Sequence, residues 1–249
     1  MHEVIKEIYA KANSRLLQSA ISPAEGDFLQ TLIREHDYRS TIEVGCAFGL
    51  SSLFICDALS GKLNPSHVII DPFQGTEFEN QGIRNLERAG FTFFRLIEEL
   101  SELALPNLLR AGEQFDLAFI DGYHTFDHTL LDFFYINRLI KIGGIVVFDD
   151  MNMPSVNKAV RYISTFSCYR LVGAVNRRGW RRHVLNAGKR LIAALLVPVI
   201  AIFGKPLSSE FLDGSLIRSQ SIRALDYSTM VAFQKISEDG RDSNWYEYF

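Results

Sequence analysis

The chain has 249 residues, 47% of them hydrophobic, and its 26 basic and 29 acidic residues give a formal net charge of -3. This length and composition predict one α/β domain with insertions and a sizeable core, and the near-neutral charge excludes the strongly basic surface of a typical nucleic-acid-binding protein. The three cysteines share no metal-binding or redox spacing, and the start of the chain lacks the apolar run of a signal peptide. We therefore expect a reduced, cytoplasmic protein that binds no nucleic acid.

The first forty residues predict helices that precede the core. Ser22-Pro23-Ala24-Glu25 has the pattern of a capping box with proline at the first helical position. Apolar residues then recur at helical spacing as far as Ile33. A helix of about a dozen residues should therefore lead into the first strand.

Strand-like and helix-like segments alternate after this point. Gly61 and Gly90 end two of the predicted helices. Alternation of this kind predicts crossover connections and therefore a parallel sheet. The predicted strands are 41–45, 67–71, 91–96, 115–120, 144–148, 169–175 and 230–236, and the predicted helices are 50–59, 81–89 and 126–140.

A glycine turn, Gly45-Cys-Ala-Phe-Gly49, follows the first predicted strand. Its glycines allow a tight turn close to a ligand, and the helix that follows offers unpaired N–H groups. The turn is neither the dinucleotide pattern nor a P-loop. Instead, Glu43 before the turn and Asp71 at the end of the next strand suit a ligand with a positively charged end and a ribose. The alternative is that both acids merely cap helices and turns.

Three further acids, Asp121, Asp149 and Asp150, end the fourth and fifth predicted strands. Ligands of an open parallel sheet bind beyond the carboxyl ends of its strands, so these acids should face the same cleft as the glycine turn. Three carboxylates form a hard-oxygen cluster that suits Mg²⁺ or Ca²⁺ better than zinc. The alternative is a set of negatively charged turn residues without an ion.

The glycine turn with Glu43 and Asp71 resembles the S-adenosylmethionine site of class I methyltransferases, over about residues 31–163 and again from about residue 230. Within that superfamily the chain is most similar to metal-dependent small-molecule O-methyltransferases of the catechol type and of the bacterial natural-product and sugar type. The resemblance implies a Rossmann-like α/β fold. This fold is a doubly wound, mostly parallel seven-stranded sheet with a reversed last strand.

The resemblance also implies roles for particular residues. Asp121, Asp149 and Asp150 would hold magnesium or another divalent cation, although the catechol type usually has Asn as the last ligand. His124 stands where the catechol type has a catalytic lysine, so we expect a general base there, with a fourth metal ligand or a substrate contact as alternatives. Asp121 is also expected to take part in catalysis. The predicted cofactor-binding residues are Glu43, Gly45, Gly49, Asp71, Phe73 and Asp121.

The segment 176–225 separates the last two predicted strands. It begins with a basic cluster and continues into thirteen apolar residues, Leu191 to Phe203, too few for the roughly twenty that span a bilayer. A peripheral membrane contact through 181–205 is one interpretation. We favour a lid or a subunit contact, and hence a homo-oligomer, because a large exposed apolar patch is a liability.

We therefore predict a single methyltransferase domain over residues 1–249. Its parts are N-terminal helices over 1–40, a cofactor and metal core over 41–175, the insertion over 176–225, and the last strand and tail over 226–249. The expected reaction is metal-assisted methyl transfer from S-adenosylmethionine to a small-molecule hydroxyl. The alternatives are a hydroxylase or lyase with the same fold, and a non-catalytic S-adenosylmethionine-binding protein associated with a membrane or an oligomer. No motif identifies the methyl acceptor.

Overall fold

The computed structural model describes residues 1–11, 16, 19–176 and 225–246. Within these residues the helices alternate with strands along most of the chain, as the sequence predicts. The helices are α1 (Glu3–Lys11), α2 (Pro23–Glu35), α3 (Leu50–Leu59), α4 (Gln81–Arg88), α5 (Ser101–Arg110), α6 (Phe126–Leu139) and α7 (Pro154–Ile163).

The described strands form one seven-stranded sheet in the order β3-β2-β1-β4-β5-β7-β6. Strands β1 to β5 pair in parallel, and β7 pairs antiparallel with both β5 and β6. The predicted α/β fold with a reversed last strand is thereby confirmed. The strands are β1 (Ser40–Val44), β2 (Ser66–Ile70), β3 (Phe94–Ile97), β4 (Phe115–Ile120), β5 (Ile140–Phe148), β6 (Tyr169–Asn176) and β7 (Ser228–Lys235).

Apolar side chains cover both faces of the sheet. One buried cluster includes Ile42 and Val44 of β1 with residues of α5, α6 and α7. The other includes Leu117 and Phe119 of β4 with residues of α1, α2 and α3. Because neighbouring residues of a strand point to opposite faces, the central strands are apolar on both sides, which explains their nearly continuous apolar sequences.

The local signals in the sequence account for most element boundaries. Ser22 caps α2, where its hydroxyl accepts a hydrogen bond from the N–H of Glu25 and the Glu25 carboxylate accepts one from the N–H of Ser22. Strand β3 begins at Phe94, three residues later than predicted. Helices α5 and α7 were not predicted; α5 contains Pro106, a residue that normally argues against a helix interior.

The interior of the predicted insertion, residues 177–224, lies outside the described residues, and with it the apolar run 191–203 and the proposed membrane contact over 181–205. Its two ends are described. Asn176 ends β6 and lies opposite Ser228 of β7, next to the carboxyl end of β5. No helix among the described residues is long and apolar enough to cross a membrane.

Candidate functional site

A cavity of about 410 Å³ lies at the carboxyl ends of the parallel strands. The end of β1 contributes the glycine turn, and the ends of β2, β4 and β5 contribute acids. Within the described part of the chain its charged lining residues are four aspartates and one histidine, without lysine or arginine. They are Asp71, Asp121, His124, Asp149 and Asp150.

The glycine turn needs its glycines for two separate reasons. Gly45 has a φ of 88°, and a Cβ atom there would lie 1.9 Å from the backbone oxygen of Asp121. Gly49 has a φ of 79°, and a Cβ there would meet the backbone of Gly82 at 2.8 Å. Only glycine fits at both positions. Consequently the turn lies directly against the loop that follows β4.

Asp71 fastens the glycine turn to the end of β2. Its buried carboxylate accepts hydrogen bonds through Oδ2 from the N–H groups of Cys46 at 3.0 Å and Ala47 at 2.8 Å. The same oxygen accepts one from Nε2 of Gln74, and Oδ1 accepts one from the N–H of Phe73. Asp71 therefore shapes the turn itself, and Oδ1 retains a lone pair for a ligand hydroxyl.

A second group of polar side chains lines the same cavity. His124 Nε2 is 2.8 Å from Oδ1 of Asp121 and 3.1 Å from Oδ2 of Asp150. One ligand atom from each of these residues lies within 4.8 Å of the other two. His124 precedes α6, whose N-cap is Thr125, so its position depends on the loop rather than on the helix.

Asp149 differs from the expected arrangement. The predicted metal ligands were Asp121, Asp149 and Asp150, but the group that converges contains His124 in place of Asp149. Asp149 still lines the cavity and is only 8% exposed. The reason is local: Asp150 has a φ of 51°, so the chain turns sharply after Asp149, and it is the Asp150 carboxylate that contacts the histidine.

Burial and mutual repulsion dominate the electrostatics of this group. Burial raises the pKa of Asp121 to about 6, although the hydrogen bond with His124 acts in the opposite direction. Burial, with repulsion from Asp121 and Glu25, raises the pKa of Asp149 well above its usual value, and burial raises that of Asp150. The hydrogen bond with Asp121 raises the pKa of His124. The positive charge near these carboxylates is therefore too small to offset their burial and mutual repulsion.

The donor chemistry of this group fits a divalent cation. Two carboxylates and an imidazole supply oxygen and nitrogen ligands, and a cation between them would relieve the repulsion that raises the carboxyl pKa values. Asp149 lines the same cavity, and a cation beside it would favour its ionised form. The predicted role of Asp149 as a direct ligand stays a prediction.

Glu43 lies away from the cavity, in contrast to its predicted contact with the cofactor. Its side chain is 0% exposed and is not among the lining residues. Its Oε1 accepts a hydrogen bond from the hydroxyl of Ser52 on α3, and His67 Nε2 lies 3.6 Å from the same oxygen. Glu43 thus lies beneath the glycine turn, between the sheet and α3.

Phe73, a predicted cofactor-binding residue, lines the cavity, and its ring contacts that of Tyr123 edge-on at 6.1 Å between centroids. Sequence reasoning missed the other wall residues. Tyr123 lies between two predicted site residues, which was the one signal that could have identified it. The missed lining residues include Ser19, Ala20, Ile21, Phe78, Ser101, Tyr123 and Met153.

Comparison with known proteins agrees with this architecture. Residues 42–151 match a family model described as a methyltransferase domain. A protein of Arabidopsis thaliana that bears the name of a caffeoyl-CoA O-methyltransferase is 29% identical over 157 residues, which are 60% of this chain and 63% of that protein. Tapetum-specific methyltransferase 1 of the same plant is 28% identical over 156 residues, 60% of this chain and 64% of its own length. The chain thus spans less than two thirds of both relatives.

Solved structures share the fold at lower sequence identity. An O-methyltransferase from Bacillus cereus in complex with SAH has a TM-score of 0.61 at 19% identity, covering 72% of this chain and 86% of that one. The O-methyltransferase TomG from Streptomyces achromogenes, in complex with SAM, has a TM-score of 0.60 at 22% identity, with coverages of 72% and 85%. These structures confirm the predicted fold, and the match of residues 42–151 to a methyltransferase domain supports the resemblance to S-adenosylmethionine-dependent methyltransferases.

Proposed function

We propose that this chain, which carries a methyltransferase domain at residues 42–151, is an S-adenosylmethionine-dependent O-methyltransferase that methylates a hydroxyl of a small molecule with the help of a divalent cation, Mg²⁺ in the first instance. One observation carries the proposal: a glycine turn and a convergent Asp121, His124 and Asp150 group line the same cavity. A cofactor and an acceptor bound there would lie next to each other.

The turn and Asp71 would bind and orient the cofactor, which supplies an electrophilic methyl group on a positively charged sulfur. Gly45 lets the backbone approach the ligand, and Asp71 Oδ1 has a lone pair for a ribose hydroxyl. Phe73 offers an aromatic face at the same wall. The aspartates give the cavity a negative potential, which favours a cationic ligand over a neutral one.

Asp121 and Asp150, with His124 or Asp149 beside them, would hold the cation. When bound, a divalent cation lowers the pKa of an acceptor hydroxyl and so favours the oxyanion that attacks the methyl group. Where Asp149 completes the cation site, His124 Nε2 is free of the cation and would accept the hydroxyl proton, because the cation would replace the contacts of Nε2 with the two carboxylates. Phe73, Tyr123 and the apolar side chain of Met153 would orient the acceptor and limit water.

The test combines binding and turnover. Calorimetry should detect S-adenosylmethionine binding both with and without a chelator, because the glycine turn and Asp71 are separate from the cation ligands. Labelled methyl transfer to a panel of catechols, sugars and caffeoyl-CoA should stop with excess chelator and return with added Mg²⁺.

Three results would contradict the proposal. Full methyl transfer in excess chelator would remove the cation from the mechanism. Conversion of a bound acceptor without consumption of S-adenosylmethionine would favour the hydroxylase or lyase alternative, and tight cofactor binding without turnover of any acceptor would favour the non-catalytic one.

A further inference from the structure

A series of buried polar side chains runs beneath the glycine turn. Thr41, Glu43, Ser52 and His67 are each 0% exposed, and Cys46 is 5% exposed. Glu43 and Thr41 alternate along β1 with residues that face the α5–α7 side, so they point toward α2 and α3. Most of their surroundings are the apolar residues of that side of the sheet. A charged group in this position is costly unless it is paired.

The hydrogen bonds along this series of buried side chains have a consistent assignment of donors and acceptors. The Thr41 hydroxyl lies 2.8 Å from Nδ1 of His67, and it donates to that nitrogen when the imidazole proton is on Nε2. The Ser52 hydroxyl donates to Oε1 of Glu43, and it therefore accepts from the thiol of Cys46 at 3.3 Å. The series thus connects the interior of β2 to Cys46, which lines the cavity and whose N–H donates to Asp71.

This series of buried polar side chains has a gap between His67 and Glu43. His67 Nε2 lies 3.6 Å from Oε1 of Glu43, and Nε2 and the other carboxylate oxygen, Oε2, have no hydrogen-bond partner in the described part of the chain. A proton on Nε2 makes this approach attractive, whereas a lone pair there would repel the carboxylate.

Stability alone does not explain this pair. A buried polar pair of this kind generally contributes little net stability, and apolar residues of similar volume are often as good or better. Removing one partner, in contrast, leaves an uncompensated buried charge and disturbs whatever the other partner holds. Within this series the Glu43 carboxylate accepts a hydrogen bond from Ser52, and the Ser52 hydroxyl accepts one from Cys46 of the turn.

We propose that His67 is a positioning residue for the cofactor, which fixes the Glu43 carboxylate and, through Ser52 and Cys46, the glycine turn. The inference rests on the proposed function, because the turn is the predicted S-adenosylmethionine site. His67 itself does not contact the cavity. Its effect reaches the ligand only through Glu43.

The experiment compares two substitutions that each keep one half of the imidazole. In His67→Gln the amide can take the place of Nε2 and reach Glu43, whereas in His67→Asn it takes the place of Nδ1 and leaves Glu43 alone. Calorimetry with the full chain then gives the dissociation constants for S-adenosylmethionine and S-adenosylhomocysteine. Thermal unfolding of each variant is measured alongside.

His67→Asn should weaken S-adenosylmethionine binding about tenfold, because the buried Glu43 carboxylate loses the group that faces its Oε1, while His67→Gln stays within about twofold of the unchanged chain. In a Glu43→Gln background the His67→Asn step should have no further effect on affinity, because the partner through which it acts is already altered. A purely structural role would lower the unfolding temperature without producing either difference.

Equal losses of affinity in His67→Asn and His67→Gln would overturn the inference, as would a tenfold loss that persists in the Glu43→Gln background. If His67→Asn does not fold, Ser52→Ala breaks the next link with a small change in volume, and unchanged affinity in that variant would equally overturn it. Failure of the unchanged chain to bind S-adenosylmethionine would instead refute the proposed function, and this inference with it.

Discussion

His124 and Asp150 have backbones in the left-handed region, with φ values of 55° and 51°. Residues other than glycine adopt this conformation at a cost, and such strain tends to occur at functional sites. Here it accompanies the contact between the His124 ring and the Asp150 carboxylate, and the hydroxyl of Ser155 holds the backbone by donating to the carbonyl of His124 at 2.5 Å. The two residues with left-handed backbones therefore belong to one arrangement of contacting polar groups.

Asp150→Asn removes one negative charge from this arrangement at nearly constant shape. We expect methyl transfer to fall by about 10²-fold or more, with little change in stability, because relief of repulsion among the carboxylates offsets the lost contact with His124. Metal content and turnover of the purified variant check this. Asp127→Asn, at an exposed carboxylate on α6, is the matched control and should keep full activity. Equal activity of the two variants would contradict the role of Asp150.

At the level of elements, the sequence predicted the helices and strands that surround the site better than the positions of individual acidic side chains. The bounds of α3 and β4 match the predicted 50–59 and 115–120, because an apolar run and a terminal glycine define each element locally. The depth of Glu43 was not predictable, since it depends on α3 covering that face of β1. Nor was the choice between Asp149 and Asp150, which depends on the conformation of one loop residue.

The role of the glycine turn can be tested against a second glycine that has nearly the same φ but no described atom close to the position of an added Cβ. Gly45 and Gly61 have φ values of 88° and 83°, yet a Cβ at Gly61 would meet no atom of the described residues within 4 Å. Gly61→Ala should cost about 1 kcal/mol of stability, and Gly45→Ala about 3 kcal/mol or more, with at least tenfold weaker cofactor binding. Chemical denaturation and calorimetry supply the two measurements. Equal costs at both positions would mean that contact with the Asp121 loop is unimportant.

Helix α1 supports the wall of the cavity from a distance. The Tyr9 hydroxyl donates to the carbonyl of Ile21 at 2.5 Å, and Ile21 lines the cavity. Tyr9→Phe should lower stability by about 1 kcal/mol and raise KM for the acceptor several-fold, without changing cofactor affinity. Tyr38→Phe is the matched control, because its hydroxyl donates to Gly143 at the opposite end of the sheet. It should cost similar stability and leave KM unchanged; a KM change in both variants would contradict this role of α1.

Across the whole molecule the two ends of the sheet have different electrostatics. The carboxyl end collects aspartates whose pKa values are raised by burial and repulsion. At the amino end Asp116 is paired: Oδ2 accepts hydrogen bonds from the N–H groups of Arg39 and Ser40, and Oδ1 accepts one from Lys141 at 2.7 Å. The carboxyl end thus has aspartates whose repulsion a cationic ligand would relieve. At the amino end the contacts of Asp116 join β1, β4 and β5.

Asp116 therefore makes folding stability depend on pH in a defined direction. Burial opposes ionisation of this carboxyl, but the hydrogen bonds from Lys141, Arg39 and Ser40 outweigh it and lower its pKa below the usual 3.8. A lowered folded-state pKa means that the unfolded chain binds the proton more tightly. The stability that Asp116 contributes is accordingly present above about pH 4 and is lost as the pH falls through the lowered value.

Asp116→Asn should thus cost about 1 kcal/mol at pH 7, and the difference from the unchanged chain should shrink as the pH falls below about 4. Urea unfolding from pH 7 to pH 3 measures the difference directly. Glu99→Gln, at an exposed carboxylate on the same molecule, should stay within about 0.5 kcal/mol throughout. A difference that grows toward acid pH would show that Asp116 is less stable as a carboxylate in the folded chain, because only a raised folded-state pKa gives that sign.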